Sequence, residues 1–244
     1  MRRILSLTVF AIVLGISCNQ GDDVINEPEE ELEPNTIESY LWDANQLYFE
    51  EIIQDSNHVN FNEPILDANE VDKIYKIIQA VYFSESPQRD TVFEVHRIHK
   101  RFCYGLSNLR LRVDTESAEI QNLSQNIIPT GESALDNLLT TYGFDTVRTS
   151  NSYPGFPWLS LGTDNALNMI PLVQAFNELE PINFVEFEKE CGSWDPWSIT
   201  LDRDDNLATI TFGIGWGDCP SGCMQRKYWE FEVANEVARF IRTY

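Results

Sequence analysis

The residues with types and spacings able to do chemistry fall into a few clusters. His96 and His99, with Glu94 beside them, are the densest imidazole group. A catalytic zinc site wants two histidines on one face, a third ligand and a glutamate base. The chain has no HExxH, and in a strand His96 and His99 would point to opposite faces. They read as surface or hairpin-end residues. Glu186, Glu188 and Glu190 could pair with Asp195 or Asp218 as glycosidase carboxylates. Alternating acids on a strand are more simply its wet face. Asp202-Arg203-Asp204-Asp205-Asn206 sets oxygens at alternating positions, as a calcium loop would. Leu207 and Gly213 stand where an EF-hand needs its glycine and its bidentate acid, so the run reads as a polar hairpin turn. No serine sits in a G-x-S-x-G elbow. No catalytic residue, metal or cofactor is assigned from these clusters.

The aromatic residues are a different matter. Tyr153, Phe156 and Trp158 lie in a Pro/Gly-rich run, and Trp194 and Trp197 flank Asp195-Pro196. Exposed rings beside acids could stack on sugars. The competing reading is that they cover the core beneath their loops. All five stand as candidate binding residues. Arg97, Lys100, Arg101, Arg110 and Arg112 are the one basic concentration, able to hold an anion or, more simply, to balance acidic neighbours. Cys219 and Cys223 bracket Pro220-Ser221-Gly222 and could be half a metal site, a redox pair or a covalent staple. Cys103 and Cys191 stand alone, and all three histidines precede residue 100, which is poor spacing for zinc.

The elements that must position these residues follow from periodicity. Residues 36–56 place Ile37, Tyr40, Leu41, Ala44, Leu47, Tyr48 and Ile52 on one helical face. Asp67-Ala68-Asn69-Glu70 has the form of a capping box opening a second helix through Tyr82. Thr91–Ile98 and Asn108–Val113 read as strands. A third helix is expected over Gly131–Tyr142, a strand over Phe144–Thr149, and a loop over Ser150–Gly162. A helix over Asn168–Leu179 fits if Pro171 lies in its first turn. Ile182–Phe187 is the next strand. Strand, helix and strand from 144 to 187 could form half of a ferredoxin-like βαβ unit. The rest reads as an antiparallel meander: Trp197–Leu201, Ala208–Ile214 and Tyr228–Val233, ending in a strand or short helix. The class expected is α+β.

The first residues bear on location. MRRILSLTVFAIVLGISC opens with Arg2 and Arg3, followed by an apolar run too short to span a membrane but of signal-peptide length. Ser17-Cys18 at its end resembles the bacterial lipobox, with Gly15 departing from the larger aliphatic residue usual there. The resemblance implies lipidation of Cys18 and loss of residues 1–17. Residues 18–35 hold seven acids and no base, a composition expected to stay disordered as a tether, leaving 36–244 as one globular domain. Asp22-Asp23 resembles the export signal of some Bacteroidota lipoproteins, implying the outer face of the outer membrane; the alternative is its periplasmic face. In such an oxidising compartment disulfides persist. Pro220-Ser221-Gly222 turns tightly enough to bridge Cys219 to Cys223, leaving Cys103 to pair with Cys191. GWGDCPSGC followed by KYWEF resembles a C-terminal cysteine hairpin of uncharacterised Bacteroidota secreted and lipid-anchored proteins, and implies a β-rich end but no activity.

The formal net charge is −22, and loss of Arg2 and Arg3 takes it to −24. Phosphate backbones would be repelled, so nucleic acid is an unsuitable partner. The expectation is a non-catalytic, lipid-anchored surface protein that binds a glycan or protein partner. The alternative is an anchored hydrolase acting on peptide or polysaccharide.

Overall fold

The computed structural model describes residues 36–100, 104–150, 158–187, 196–204, 206–219 and 222–244. A 3-10 turn over Ile37–Tyr40 runs into helix α1, Leu41–Gln54. Its apolar stripe is buried as read, except that Leu41 is exposed, while Phe49, Asp43 and Gln46 are buried. The helix is enclosed on more sides than one stripe requires. Helix α2, Ala68–Tyr82, starts at Asp67, whose carboxylate accepts the Asn69 N–H. Only this half of the capping box forms, because Glu70 instead meets Lys73 and Arg203.

The strand expected over 91–98 is helical. Ser86 caps and Pro87 opens a short helix α3, Pro87–Asp90, which continues as a π turn over Thr91–Val95. A Ser-Pro start favours a helical turn. The turn also buries adjacent Val92 and Phe93 together, which a strand cannot do on one face. Phe93 packs edge-on against Tyr40, Tyr82 and Phe212 at 5.0–5.2 Å.

Strand β1 is Asn108–Val113. Helix α4, Ala118–Ser124, was not anticipated; Ser117 caps it and it buries Ile120 and Leu123. Helix α5, Ser133–Tyr142, begins after Gly131 because the Glu132 carboxylate caps it. Gly143 closes it at φ +70°, a left-handed cap that glycine takes without a Cβ penalty. Strands β2, Thr146–Ser150, and β3, Trp158–Gly162, follow. The loop expected over 150–162 therefore gives way to a strand at Trp158, where Leu159 and Leu161 alternate into the core. Asn168 caps helix α6, Met169–Asn177, with Pro171 in the first turn, and strand β4 is Ile182–Glu186.

The first sheet has the order β2-β3-β1-β4, with every neighbouring pair antiparallel. Strands β3 and β4 thus run parallel on either side of β1 and are joined through α6. This is a split βαβ unit of the ferredoxin-like kind, starting at β3 rather than β2. The second sheet is the expected meander: β5 Trp197–Arg203, β6 Ala208–Trp216, β7 Gln225–Ala234 and β8 Val237–Thr243. The chain's end is a strand, not a helix. The architecture is α+β, and its buried side chains form one contiguous core to which both sheets and the helices contribute. Among the described residues no helix is long and apolar enough to cross a membrane.

Candidate functional site

One face of the first sheet is core, and among the described residues the other carries exposed side chains, Phe184 and Arg148. Leu109, Leu111, Leu159, Leu161 and Val185 point inward and are at most 2 % exposed. Residues directly opposite in an antiparallel pair share a face, so the registers build the outer face in rows. Arg148, Ser160, Arg110 and Glu186 form one row across all four strands. Trp158, Arg112 and Phe184 form the next. Contacts tie the rows together. The Arg110 guanidinium lies 5.0 Å over the Trp158 ring and pairs with Glu186 at 3.1 Å. Trp158 meets Phe184 edge-on at 6.2 Å. Phe184 is 46 % exposed, and Arg148 is exposed and makes no ion pair among the described residues. Two aromatic rings and three guanidiniums therefore share one solvent face.

Of the five aromatic candidates, only Trp158 belongs to this face. Trp197 starts β5 in the other sheet, opposite Ile214, and is 39 % exposed. Tyr153, Phe156 and Trp194 lie outside the described residues, as do Cys18, Cys103 and Cys191. Sequence reading missed Phe184 and Arg148. Their signal was faint: each alternates with inward residues on its strand, but nothing local says that both meet Trp158 and Arg110.

The basic cluster divides by role. Lys100 is buried, with its ammonium 2.9 Å from Glu50 and donating to the Ile199 carbonyl at 3.1 Å. It joins α1 to β5 and is not available to a ligand. Arg101 lies outside the described residues. His99 is not a surface histidine. Its Nδ1 lies 2.8 Å from a carboxylate oxygen of Asp43, and its ring stacks on Tyr40 at 4.2 Å. Asp43 is 1 % exposed and also accepts the Lys100 backbone N–H. Burial pushes its carboxyl up from the usual range, against the opposing pull of His99. His96 sits tilted against Trp229 at 5.4 Å.

Two of the acidic candidates among the described residues have structural partners. Asp202 and Arg203 are the last residues of β5, opposite Thr209 and Ala208, and Asp204 accepts the N–H groups of Asn206 and Leu207 in the turn to β6, while Asp205 lies outside the described residues. Glu186 pairs with Arg110, while Glu188, Glu190 and Asp195 are outside the described residues. Two clefts accompany α2. One, of about 800 Å³, sets Trp42, Tyr75 and Tyr142 near Glu38, Asp72 and Asp164. The other, of about 740 Å³, holds Arg203 with Glu51 and Glu70. Neither is lined by a histidine. Lys73, and then Arg203, hold the Glu70 carboxyl below its usual range. That is the opposite of the raised value a glycosidase's general acid needs.

Cys219 and Cys223 stand at disulfide distance, Sγ to Sγ 2.20 Å, in the connection between β6 and β7. Gly222 takes φ +100° there, a conformation glycine adopts without a Cβ penalty. No protein-family model matches the chain, and neither curated proteins nor solved structures give a match.

Proposed function

We propose that the protein is a non-catalytic lipoprotein of the cell envelope, anchored through Cys18 on the outer membrane and exposed at the surface. It binds a glycan or protein partner on the open face of the first sheet. The observation that carries the binding reading is the pair of rows that puts Trp158 and Phe184 among Arg110, Arg112 and Arg148. Flat rings ringed by donors recognise ligands without moving protons or making bonds. In the second cleft beside α2, Glu51 and Glu70 are both already paired with Arg203. The anchor rests on the basic start, the short apolar run and the Ser17-Cys18 junction. The full chain expressed in a bacterium should incorporate radioactive palmitate, and Cys18→Ala should not. The purified chain, screened on immobilised glycans and peptides, should lose its ligand in the Trp158→Ala/Phe184→Ala variant while its melting temperature stays near the parent's.

The second reading, an anchored hydrolase on peptide or polysaccharide, draws on the Asp43–His99 pair. A buried carboxylate orienting an imidazole supplies two of the three members of a hydrolytic triad. Cleavage of a captured ligand by the parent, abolished in His99→Ala, would replace the binding reading with this one.

A further inference from the structure

We propose that the cleft between α1, α2 and the chain after β3 takes a small organic cation, an apolar body carrying an ammonium group. The site goes beyond the binding reading above and shares no residue with the open face of the first sheet.

The fold assembles this cleft from distant stretches. Helix α1 supplies Leu41 and Trp42, α2 supplies Tyr75, the end of α5 supplies Tyr142, and the chain before α6 supplies Asp164 and Asn165. A backbone bridge between Ile65 and Leu167 ties the segment before α2 to the one before α6. The buried part of the lining is apolar, with Leu66, Val71 and Leu167, and Leu41 and Ile65 stay exposed. The volume, about 800 Å³, falls in the range of sites that enclose a drug-sized molecule, roughly 300–1,000 Å³. The Tyr75 and Tyr142 rings are partly buried. Among the described residues neither is stacked on another ring or covered by a cation.

The polar lining decides the sign of the ligand. No lysine, arginine or histidine is among the described residues that line the cleft. Asp72 does not count towards it, because Lys76 already pairs with that carboxylate at 2.8 Å. Glu38 and Asp164 pair with no cation among the described residues. The amide nitrogens of Asn45 and Asn165 donate to the Leu41 and Tyr142 carbonyls, which leaves their side-chain oxygens as acceptors. Acceptors set in an apolar, aromatic wall suit a donor that is both charged and apolar, and a ring face attracts a cation as well. Glu38 is near enough to act on one of the rings. Burial first, and that carboxylate after it, push the Tyr75 hydroxyl up against a bond with Gln79. At physiological salt, charges beyond about 8 Å are largely screened, so a ligand here feels the carboxylates of the cleft above all. The chain's own acidic run, Asp22 to Glu33, has the wrong sign to fill it.

The test titrates the full chain, purified in detergent, with one indole body in three charge states: tryptamine, tryptophol and indole-3-acetate. Calorimetry reads the affinities after detergent-only titrations are subtracted. Tryptamine should bind about five-fold more tightly than tryptophol, the range of an exposed ion pair. Indole-3-acetate should bind most weakly, and the differences should shrink as salt rises. Asp164 is exposed and its carboxylate makes no hydrogen bond or ion pair among the described residues, so Asp164→Lys keeps the fold and should abolish the preference for tryptamine. Ala68 lines the cleft from an exposed position at the start of α2. Ala68→Trp should fill the space and exclude all three probes, with circular dichroism reporting its fold.

Equal binding of the three probes, lost in Ala68→Trp, overturns the cationic class and leaves the cleft to a neutral ligand. Preference for indole-3-acetate, no binding of any probe at millimolar concentration, or binding that ignores both variants overturns the class and the cleft together. An acetylated peptide of lysine, tryptophan and lysine that binds about ten-fold tighter than tryptamine overturns the small occupant in favour of a basic peptide.

Discussion

Replacing Arg203 with methionine removes the residue that joins β5 to both long N-terminal helices. Its Nε and Nη2 donate to the two oxygens of Glu51 at 2.8 and 2.7 Å, and Nη2 also reaches Glu70 at 3.0 Å. The arginine side chain is 17 % exposed and the two glutamates 28 % and 29 %. Exposed pairs contribute at most about 1 kcal/mol, and breaking a buried one costs about 3–5 kcal/mol. This network lies between those limits, and Glu70 keeps Lys73 at 2.5 Å. The expected loss is about 2 kcal/mol, a fall of roughly 4–8 °C in melting temperature for a domain of this size. Arg203→Lys keeps the charge but loses the fork, so it should fall about halfway. The pH dependence has a definite sign. Lys73 and then Arg203 hold Glu70 below its usual range, so its stabilisation is present above the unfolded carboxylate value. That stabilisation is lost as pH falls through the folded one. The gap between parent and Arg203→Met should therefore narrow in acid. Melting followed by circular dichroism across pH reads all of this. A methionine variant within about 1 °C of the parent, or a lysine variant equal to it, would show that the bidentate bridge is not holding the layers together.

Three further outcomes follow from the packing. A Cβ on Gly215 would lie 2.7 Å from both Cβ and Sγ of Cys223, so Gly215→Ala should cost about 1–3 kcal/mol and hinder closure of the bridge during oxidative refolding, leaving Cys219 and Cys223 as thiols that peptide mapping after alkylation detects; an unchanged melt with the bridge intact refutes the crowding. Asp43→Ala strips the acceptor from the buried Lys100 N–H and should cost about 2–4 kcal/mol in urea unfolding. Burial raises the Asp43 carboxyl, so its contribution favours the fold at acid pH and is lost as pH rises through its folded value. Asp43→Asn should lack that slope, and parallel pH profiles for parent and variant would contradict it. Tyr104 and Phe187 both pack on Phe49, at 5.3 and 6.0 Å; Cys103 is one residue from the first and Cys191 four from the second. Non-reducing peptide maps should join Cys103 to Cys191, and Cys103→Ser should lower the unfolding midpoint more than Cys223→Ser, by about 2–4 kcal/mol for the long closure. A peptide joining Cys103 to Cys219 or Cys223 would refute that pairing.

What the sequence determined by itself is local. The stripe from Ile37 to Ile52, the Asp67 cap, Pro171 in a first turn, the Asp204 hairpin and the positive φ at Gly222 each depend on residues within a few positions of one another. Burial periodicity, capping and turn chemistry act over that range. Local reading failed where a start signal went unused: 91–98 reads as a strand although Ser86 caps and Pro87 opens a helical turn leading into it, and the prolines before Trp158 hid the alternation of β3. The tertiary structure alone decided which distant residues meet. His99 finds Asp43 across 56 residues, and Arg203 finds Glu51 across 152. The open face exists only because β1 is inserted between β3 and β4, which brings Arg112 into register with Trp158 on one side and Phe184 on the other. No local propensity encodes that insertion. It is selected by the one packing that buries Leu109, Leu111, Leu159, Leu161 and Val185 together, and the outer rows follow from it because side chains alternate across a strand.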